Sequence, residues 1–265
     1  MNKWIERSIE IANSPGYLDK LHDIYPVVQE TTREINLEIK RELEEIFKSE
    51  DNTILIKKLL ELPKFPIKDP YVAFLRKRDV FIKYNPKTVN RIAERVRAMG
   101  FNAMIESLEE PKEFNRQIGT LFGKWIQKIG HQMLDRDELK THFGGIAFLR
   151  GGDALLKNFA NEELGCDLDK GPDFIAKAKG NYIVGEAKFL TDYGGHQNAQ
   201  FEDALRFLKN SSGRAIRIAV LDGVVWIQNG SKMFRTICAL KGTALTALLL
   251  MEFLENFSVE NGGAI

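Results

Sequence analysis

The sequence predicts an α/β protein with a mixed central sheet flanked by helices and a mainly helical N-terminal region. Three observations carry this expectation. Apolar residues in the first hundred positions recur at helical spacing and are punctuated by prolines. After Pro172 the period shortens to strand-like runs. Those runs then alternate with further helical segments, as in a mixed α/β core. A chain of 265 residues suits one large domain or two modest ones. We expect a helical region over 1–110 and an α/β core over 111–265.

Composition narrows the classes. Hydrophobic residues at 44% and charged residues at 28% exclude global disorder. A net charge of +1 excludes a protein coated in positive charge and leaves room for a local patch. The only cysteines, Cys166 and Cys238, make no zinc pattern and fit a reduced, cytoplasmic setting. The opening MNKWIERSIE lacks an apolar signal core. The longest apolar stretch, Ala244–Met251, is far below the roughly 20 residues of a membrane span.

In chain order, Gln29–Lys48 reads as a helix with Ile35, Ile39, Leu43, Ile46 and Phe47 on one face. Pro63, Pro66 and Pro70 mark a connection, and Lys87–Met99 is a helix ended by Gly100. Residues 1–56 carry a net charge of −5 and residues 57–97 a net of +8. The basic block includes Arg76, Lys77 and Arg78, and reads either as a phosphate-facing surface or as a solvated helix face. Glu113–Ile129 is a helix with Phe114, Ile118, Leu121, Phe122, Trp125 and Ile129 on its apolar side. Two Gly-Gly pairs, at 144–145 and 151–152, suggest a loop before a helix at Asp153–Glu163, with Asp153 as N-cap.

Phe174–Ala178 and Tyr182–Phe189 read as strands around Lys179–Gly180. Gln200–Lys209 is a helix, with Phe201, Ala204, Leu205 and Leu208 on one face. Ala215–Leu221 and Val224–Gln228 flank Asp222–Gly223, a two-residue hairpin signal. Lys241–Phe257 is a final apolar helix. Its Leu245–Leu250 stripe reads as core, with a dimer interface as the alternative. Trp125 and Trp226 read as core, and Cys166 as a small buried residue. His22, His131 and His142 have no ligand spacing.

One segment carries chemistry. Glu-x-Lys occurs four times, but only Glu186-Ala187-Lys188 lies in an apolar strand-like run, and only it follows the chain's single Pro-Asp, Pro172-Asp173. Strand alternation puts Glu186 and Lys188 on one face. With Lys179 and Gly180 as the central turn residues, Ala178 faces Asn181, and the same register sets Asp173 opposite Glu186. A slip of one residue would separate them. Two acids this close repel unless a cation lies between them. Mg²⁺ suits hard oxygen ligands and retains waters and phosphate oxygens as further ligands. Lys188 would orient or help deprotonate a water and offset phosphate charge. The plain alternative is a hairpin ion pair, against which the rarity of Asp and Glu in strands argues.

Pro172-Asp173…Glu186-x-Lys188, within a helix–hairpin–helix–strand order, resembles the signature of the PD-(D/E)XK nuclease superfamily, most closely its type II restriction endonucleases. The resemblance covers about residues 150–230. It implies a restriction-endonuclease-like core, Mg²⁺-dependent cleavage of double-stranded DNA at a short sequence, a homodimer, and a companion DNA methyltransferase. Asp173 and Glu186 would be metal ligands and Lys188 the catalytic lysine. Some members add a helical carboxylate. Glu113, Glu162 and Glu163 are the candidates here, each otherwise a solvated or salt-bridged glutamate.

After the Glu-x-Lys strand, Gly194–Gly195 allows close backbone approach. His196, Gln197, Asn198 and Gln200 follow, with groups able to pair with base edges. The same segment also reads as a polar turn with Asn198 as N-cap. Two alternatives stay open: a repair or junction-resolving nuclease of the same superfamily, and a non-catalytic DNA-binding module. The intact Asp173/Glu186/Lys188 set argues against the second.

Overall fold

The computed structural model describes residues 1–26, 34–110, 118–210 and 212–256. Contacts divide the chain into two compact units, Met1–Val27 with Glu113–Ile265, and Val28–Lys112. Residues 1–27 therefore group with the α/β part and not with the helical region expected over 1–110. In that unit α1 (Lys3–Ala12) and α2 (Tyr17–Ile24) bury Trp4, Ile5, Leu21 and Ile24 in one cluster with Ile218, Val220 and Leu245 of the sheet.

The smaller unit is helical: α3 (Leu37–Lys48), α4 (Asn52–Glu61), α5 (Val72–Leu75), α6 (Val80–Tyr84), α7 (Pro86–Met99) and α8 (Phe101–Glu109). Asn36 and Asp51 cap α3 and α4 by accepting from the N–H of Glu38 and of Ile54. Leu43, Leu55, Leu59, Val96 and Met104 form one apolar cluster, and Ile56, Val72, Ile82 and Ile92 a second. The helix expected from Gln29 starts only at Leu37, because Asn36 caps it. Of the expected earlier part, residues 29–33 lie outside the described residues.

The larger unit continues with α9 (Ile118–Lys128), β1 (Gln132–Leu134), α10 (Arg136–Thr141), β2 (Ile146–Leu149) and α11 (Asp153–Glu162). Then come β3 (Phe174–Ala178), β4 (Asn181–Leu190), α12 (Gly195–Lys209), β5 (Ile216–Gly223), α13 (Lys232–Cys238), β6 (Thr243–Leu245) and α14 (Leu250–Asn256). The strands form one mixed sheet in the order β1 to β6. The pairs β2/β3 and β3/β4 are antiparallel; β1/β2, β4/β5 and β5/β6 are parallel. The α/β expectation, a mixed sheet flanked by helices, holds. The α9 helix matches the expected Glu113–Ile129 helix from Ile118 onward, while residues 113–117 lie outside the described residues. Asp153 is the first residue of α11, one past its N-cap Gly152.

The β3–β4 hairpin has the expected register, pairing Phe174 with Gly185 and Ala178 with Asn181. Lys179 and Gly180 both have positive φ, 47° and 79°, as a tight two-residue turn with matching twist requires. Gly185 is fixed by packing. A Cβ there would lie 2.0 Å from Phe174 Cε1, and that ring also packs against Phe122 and Phe148.

Three expected features differ. The second hairpin, at Asp222–Gly223, is absent. Both sides of β5 are already paired, by β4 and by β6, and Val224–Trp226 form a single 3-10 turn in the core. The expected Lys241–Phe257 helix divides into β6, a 3-10 turn and α14, since Thr243–Leu245 continue the sheet beyond β5. The Leu245–Leu250 stripe is core, not an exposed face: Leu245, Ala247, Leu249 and Leu250 are buried. Finally, α12 begins at Gly195, capped by Gly194 rather than by Asn198. Packing on β4 and β5 outweighs the poor helix propensity of the glycine pair.

Asp222 anchors α2 and the residue that follows it. Its carboxylate is fully buried and accepts from Tyr25 Oη at 2.9 Å, Thr246 Oγ1 at 2.5 Å and, weakly, Tyr17 Oη at 3.4 Å. Burial pushes it up to about 6, against the lowering effect of its hydroxyl donors.

Two predictions follow from this packing. Gly185→Ala should lower stability by about 3 kcal/mol in urea unfolding, and Phe174→Leu in the same chain should recover part of that loss. Unfolded Asp222 ionises near the ordinary carboxylate value, whereas folded Asp222 keeps its proton to about 6. Its contribution is therefore largest at low pH and is lost as pH rises through that window. Relative to wild type, Asp222→Asn should gain up to about 3 kcal/mol between pH 4 and pH 7. A pH-independent difference would contradict this.

Candidate active site

The hairpin delivers the acids. Asp173 directly precedes β3, and its N–H donates to Gly185 O at 2.9 Å, extending the ladder by one step. One oxygen of its side chain, Oδ2, accepts from the Ala187 N–H at 2.7 Å, which fixes the carboxylate against β4. Gly119 of α9 lies over the other oxygen, where an added Cβ would sit 3.7 Å from Oδ1. Glu186, at the middle of β4, is only 2% exposed. Lys188 lies two residues along the same face. Its Nζ is 2.5 Å from Glu186 Oε1 and 3.7 Å from Asp173 Oδ2, so a single ammonium bridges both acids. A second ammonium, Lys170, also reaches Glu186 Oε1.

The electrostatics follow from this geometry. Burial pushes Asp173 up to about 6; Lys188 opposes that rise and Glu186 adds to it. For Lys188, burial works against the charged form, but Asp173 and Glu186 outweigh it and hold the ammonium above its ordinary value. With both acids beside it, Lys188 is a firmly held cation. Beside the pair lies a cleft of about 490 Å³, lined by Lys170, Pro172, Glu186, Asp203 and Arg206, among others.

A family model for the Tsp45I type II restriction enzyme matches residues 2–257. The chain belongs to that family. Membership in the Tsp45I type II restriction enzymes implies an endodeoxyribonuclease with DNA as substrate. No curated relative and no solved structure matches the chain. No helix among the described residues is long and apolar enough to cross a membrane.

In this Tsp45I-family chain, Asp173, Glu186 and Lys188 come together as the strand arithmetic requires. Among the described residues, no group of three or more His, Cys, Asp or Glu side chains is gathered as a metal site. The hairpin supplies two carboxylates. Such a set fits Mg²⁺, which needs few protein oxygens and retains most of its waters. Glu162 and Glu163 do not join the pair. Arg136 holds both of them, at 2.9 and 2.5 Å, and Lys140 adds a contact to Glu163 at 3.1 Å. Glu113 lies outside the described residues.

The polar segment after β4 divides. Gln197 is buried, donates to Thr191 Oγ1 at 3.2 Å and is closed to solvent, so it cannot meet a base edge. His196 and Asn198 are exposed, and Gln200 is half-buried. Gln200 Nε2 lies 3.1 Å from His196 Nε2, while Asn198 donates to Tyr193 O at 2.8 Å. In the basic block, Arg76 donates to Leu62 O at 2.7 Å, and the Arg78 guanidinium stands over Phe81 at 5.7 Å. Lys77 is exposed; its backbone N–H donates to Phe74 O at 3.0 Å, and its ammonium has no hydrogen bond or ion pair among the described residues. Much of the remaining charge is used internally: Arg91 and Arg95 both bind the half-buried Asp69, at 2.7 and 2.9 Å.

Sequence reasoning missed Lys170 and Asp203. Lys170 lies three residues before Asp173, outside the motif. Asp203 follows His196 and Gln200 at helical spacing, so a polar i, i+4, i+7 stripe on α12 was the available signal.

Proposed function

We propose that the chain is a PD-(D/E)XK nuclease: a Mg²⁺-dependent type II restriction endonuclease that cuts double-stranded DNA at a short specific sequence. The single observation that carries this reading is the Lys188 ammonium bridging the Asp173 and Glu186 carboxylates at the edge of a cleft. Asp173 and Glu186 would hold the metal. Bound there, Mg²⁺ supplies a Lewis acid and a water of lowered pKa for attack on a phosphodiester. Ala187 N–H fixes the aim of Asp173, and the two flanking strands fix Glu186. Lys188 would orient or help deprotonate the attacking water and offset charge building on the phosphate. His196, Asn198 and Gln200 are the proposed base-edge contacts. Lys77 and Arg78 are the proposed phosphate contacts, positioning the duplex without reading sequence. We further propose a homodimer, matched to two-fold DNA sites, and a companion DNA methyltransferase that protects the host's own sites.

Plasmid digestion with Mg²⁺ tests the whole reading. Discrete bands are expected. Smears, or cutting confined to branched DNA, would point instead to a repair or junction-resolving nuclease, and duplex binding without cleavage to a non-catalytic module. Asp173→Ala, Glu186→Ala and Lys188→Ala should each cut on the order of a hundredfold more slowly, or worse, while remaining folded by circular dichroism. Cutting by Glu186→Ala at the wild-type rate would refute the site. Lys77→Ala and Arg78→Ala should each weaken duplex binding similarly across sequences and lower the salt-dependence slope by about 1. An unchanged slope would remove the block from the DNA interface.

A further inference from the structure

The carboxylate oxygen Glu186 Oε1 is shared by two ammoniums of unlike character. Lys188, with a side chain 19% exposed, is held on β4 and already serves both acids. Lys170 comes from the segment before β3, and its side chain is 59% exposed. Both Lys170 and Glu186 line the cleft. A carboxylate as buried as Glu186 needs positive charge close by, because it has lost its water. An exposed lysine supplies that charge and loses little by leaving, since water solvates it at once. A divalent cation on the same oxygen would repel Lys170, and the two cannot share one position.

We infer that Lys170 is a displaceable counter-ion for Glu186, which occupies the carboxylate in the metal-free protein and competes with the divalent cation for it. This rests on the proposed active site, in which Glu186 is a metal ligand. Lys170 is then a positioning residue: it keeps Asp173 and Glu186 from repelling before metal arrives, and it weakens metal affinity in doing so.

Mn²⁺ binding to the full chain without DNA, followed by the electron paramagnetic resonance of free Mn²⁺, tests this independently of cleavage. Lys170→Met should bind Mn²⁺ about tenfold more tightly than wild type at low salt, with the gap narrowing as ionic strength rises. Lys170→Arg, which keeps the charge, should stay within about twofold of wild type. The Mn²⁺-induced rise in melting temperature should be larger for Lys170→Met than for wild type. Equal or weaker Mn²⁺ binding by Lys170→Met would overturn the inference. Glu186→Gln separates this failure from that of the parent reading. If Glu186→Gln loses Mn²⁺ while Lys170→Met matches wild type, only the counter-ion role falls. If Glu186→Gln binds as wild type does, Glu186 is not a ligand and both readings fall.

Discussion

Repulsion between Asp173 and Glu186 is the constraint that the larger unit is organised to contain. Two carboxylates on one face of a ribbon, partly out of water, would ordinarily splay or take up a proton. Neither side chain can splay. Asp173 is tied to the Ala187 N–H, and Glu186 sits in a strand paired on both sides. Burying them side by side costs stability: burial first, and Glu186 in smaller part, raise Asp173, and Lys188 offsets part of that cost. A flexible loop carrying the same three residues would relax away from this arrangement. The sheet prevents it, as precise placement of charged groups requires.

The packing beneath the hairpin serves the same end. Phe174 lies against Gly185, one residue before Glu186, and joins Phe122 and Phe148 in the core. A side chain at 185 would push the strands apart or shift their register, and a shift of one would turn one acid to the opposite face. Across β4 the neighbouring strand is held from its far end. Asp222 pairs in register with Phe189, next to Lys188, and collects hydroxyl donors from Tyr17 of α2, from Tyr25 just after it and from the turn after β6. Tyr17 of α2 and Tyr25 just after it are thus bonded to the strand that braces the Glu-x-Lys strand. This explains why residues 1–27 belong with the α/β unit despite lying far from it in sequence.

Local signals were legible and tertiary ones were not. The β3–β4 register could be computed, because turn chemistry and a period of two are both local rules, and the Lys179–Gly180 turn obeys them. Asp222–Gly223 carried an equally good local turn signal and failed. Whether two runs pair depends on which strand edges are free, and both edges of β5 are occupied by segments distant in sequence. Thr243–Leu245 read as helix because three residues of strand leave no period to detect. Gln197 read as a base contact because its chemistry is visible in sequence and its burial is not. Lys170 was missed for the converse reason: its partner is fixed only once the segment before β3 folds back over Glu186.

The charge of the cleft bears on how metal and DNA would act together. Asp167, Asp169, Glu186 and Asp203 line it against Lys170, Arg206 and Arg217, and Asp173 and Lys188 stand beside it. Arg206 is already paired with Asp203, and Arg217 spends its guanidinium on backbone carbonyls, including that of Phe207 at 3.3 Å. What remains open to a ligand has at least as much negative as positive character. A polyanion gains nothing from such a surface, since duplex affinity comes largely from exchanging bound counter-ions for protein cations. On the proposed reading, a divalent cation on Asp173 and Glu186 reverses the local sign and frees Lys170 to face outward. Metal and scissile phosphate would then bind with positive coupling, each making the cleft a better site for the other. Without the metal, duplex affinity would rest on basic side chains away from the acids, so binding and cutting would draw on different residues.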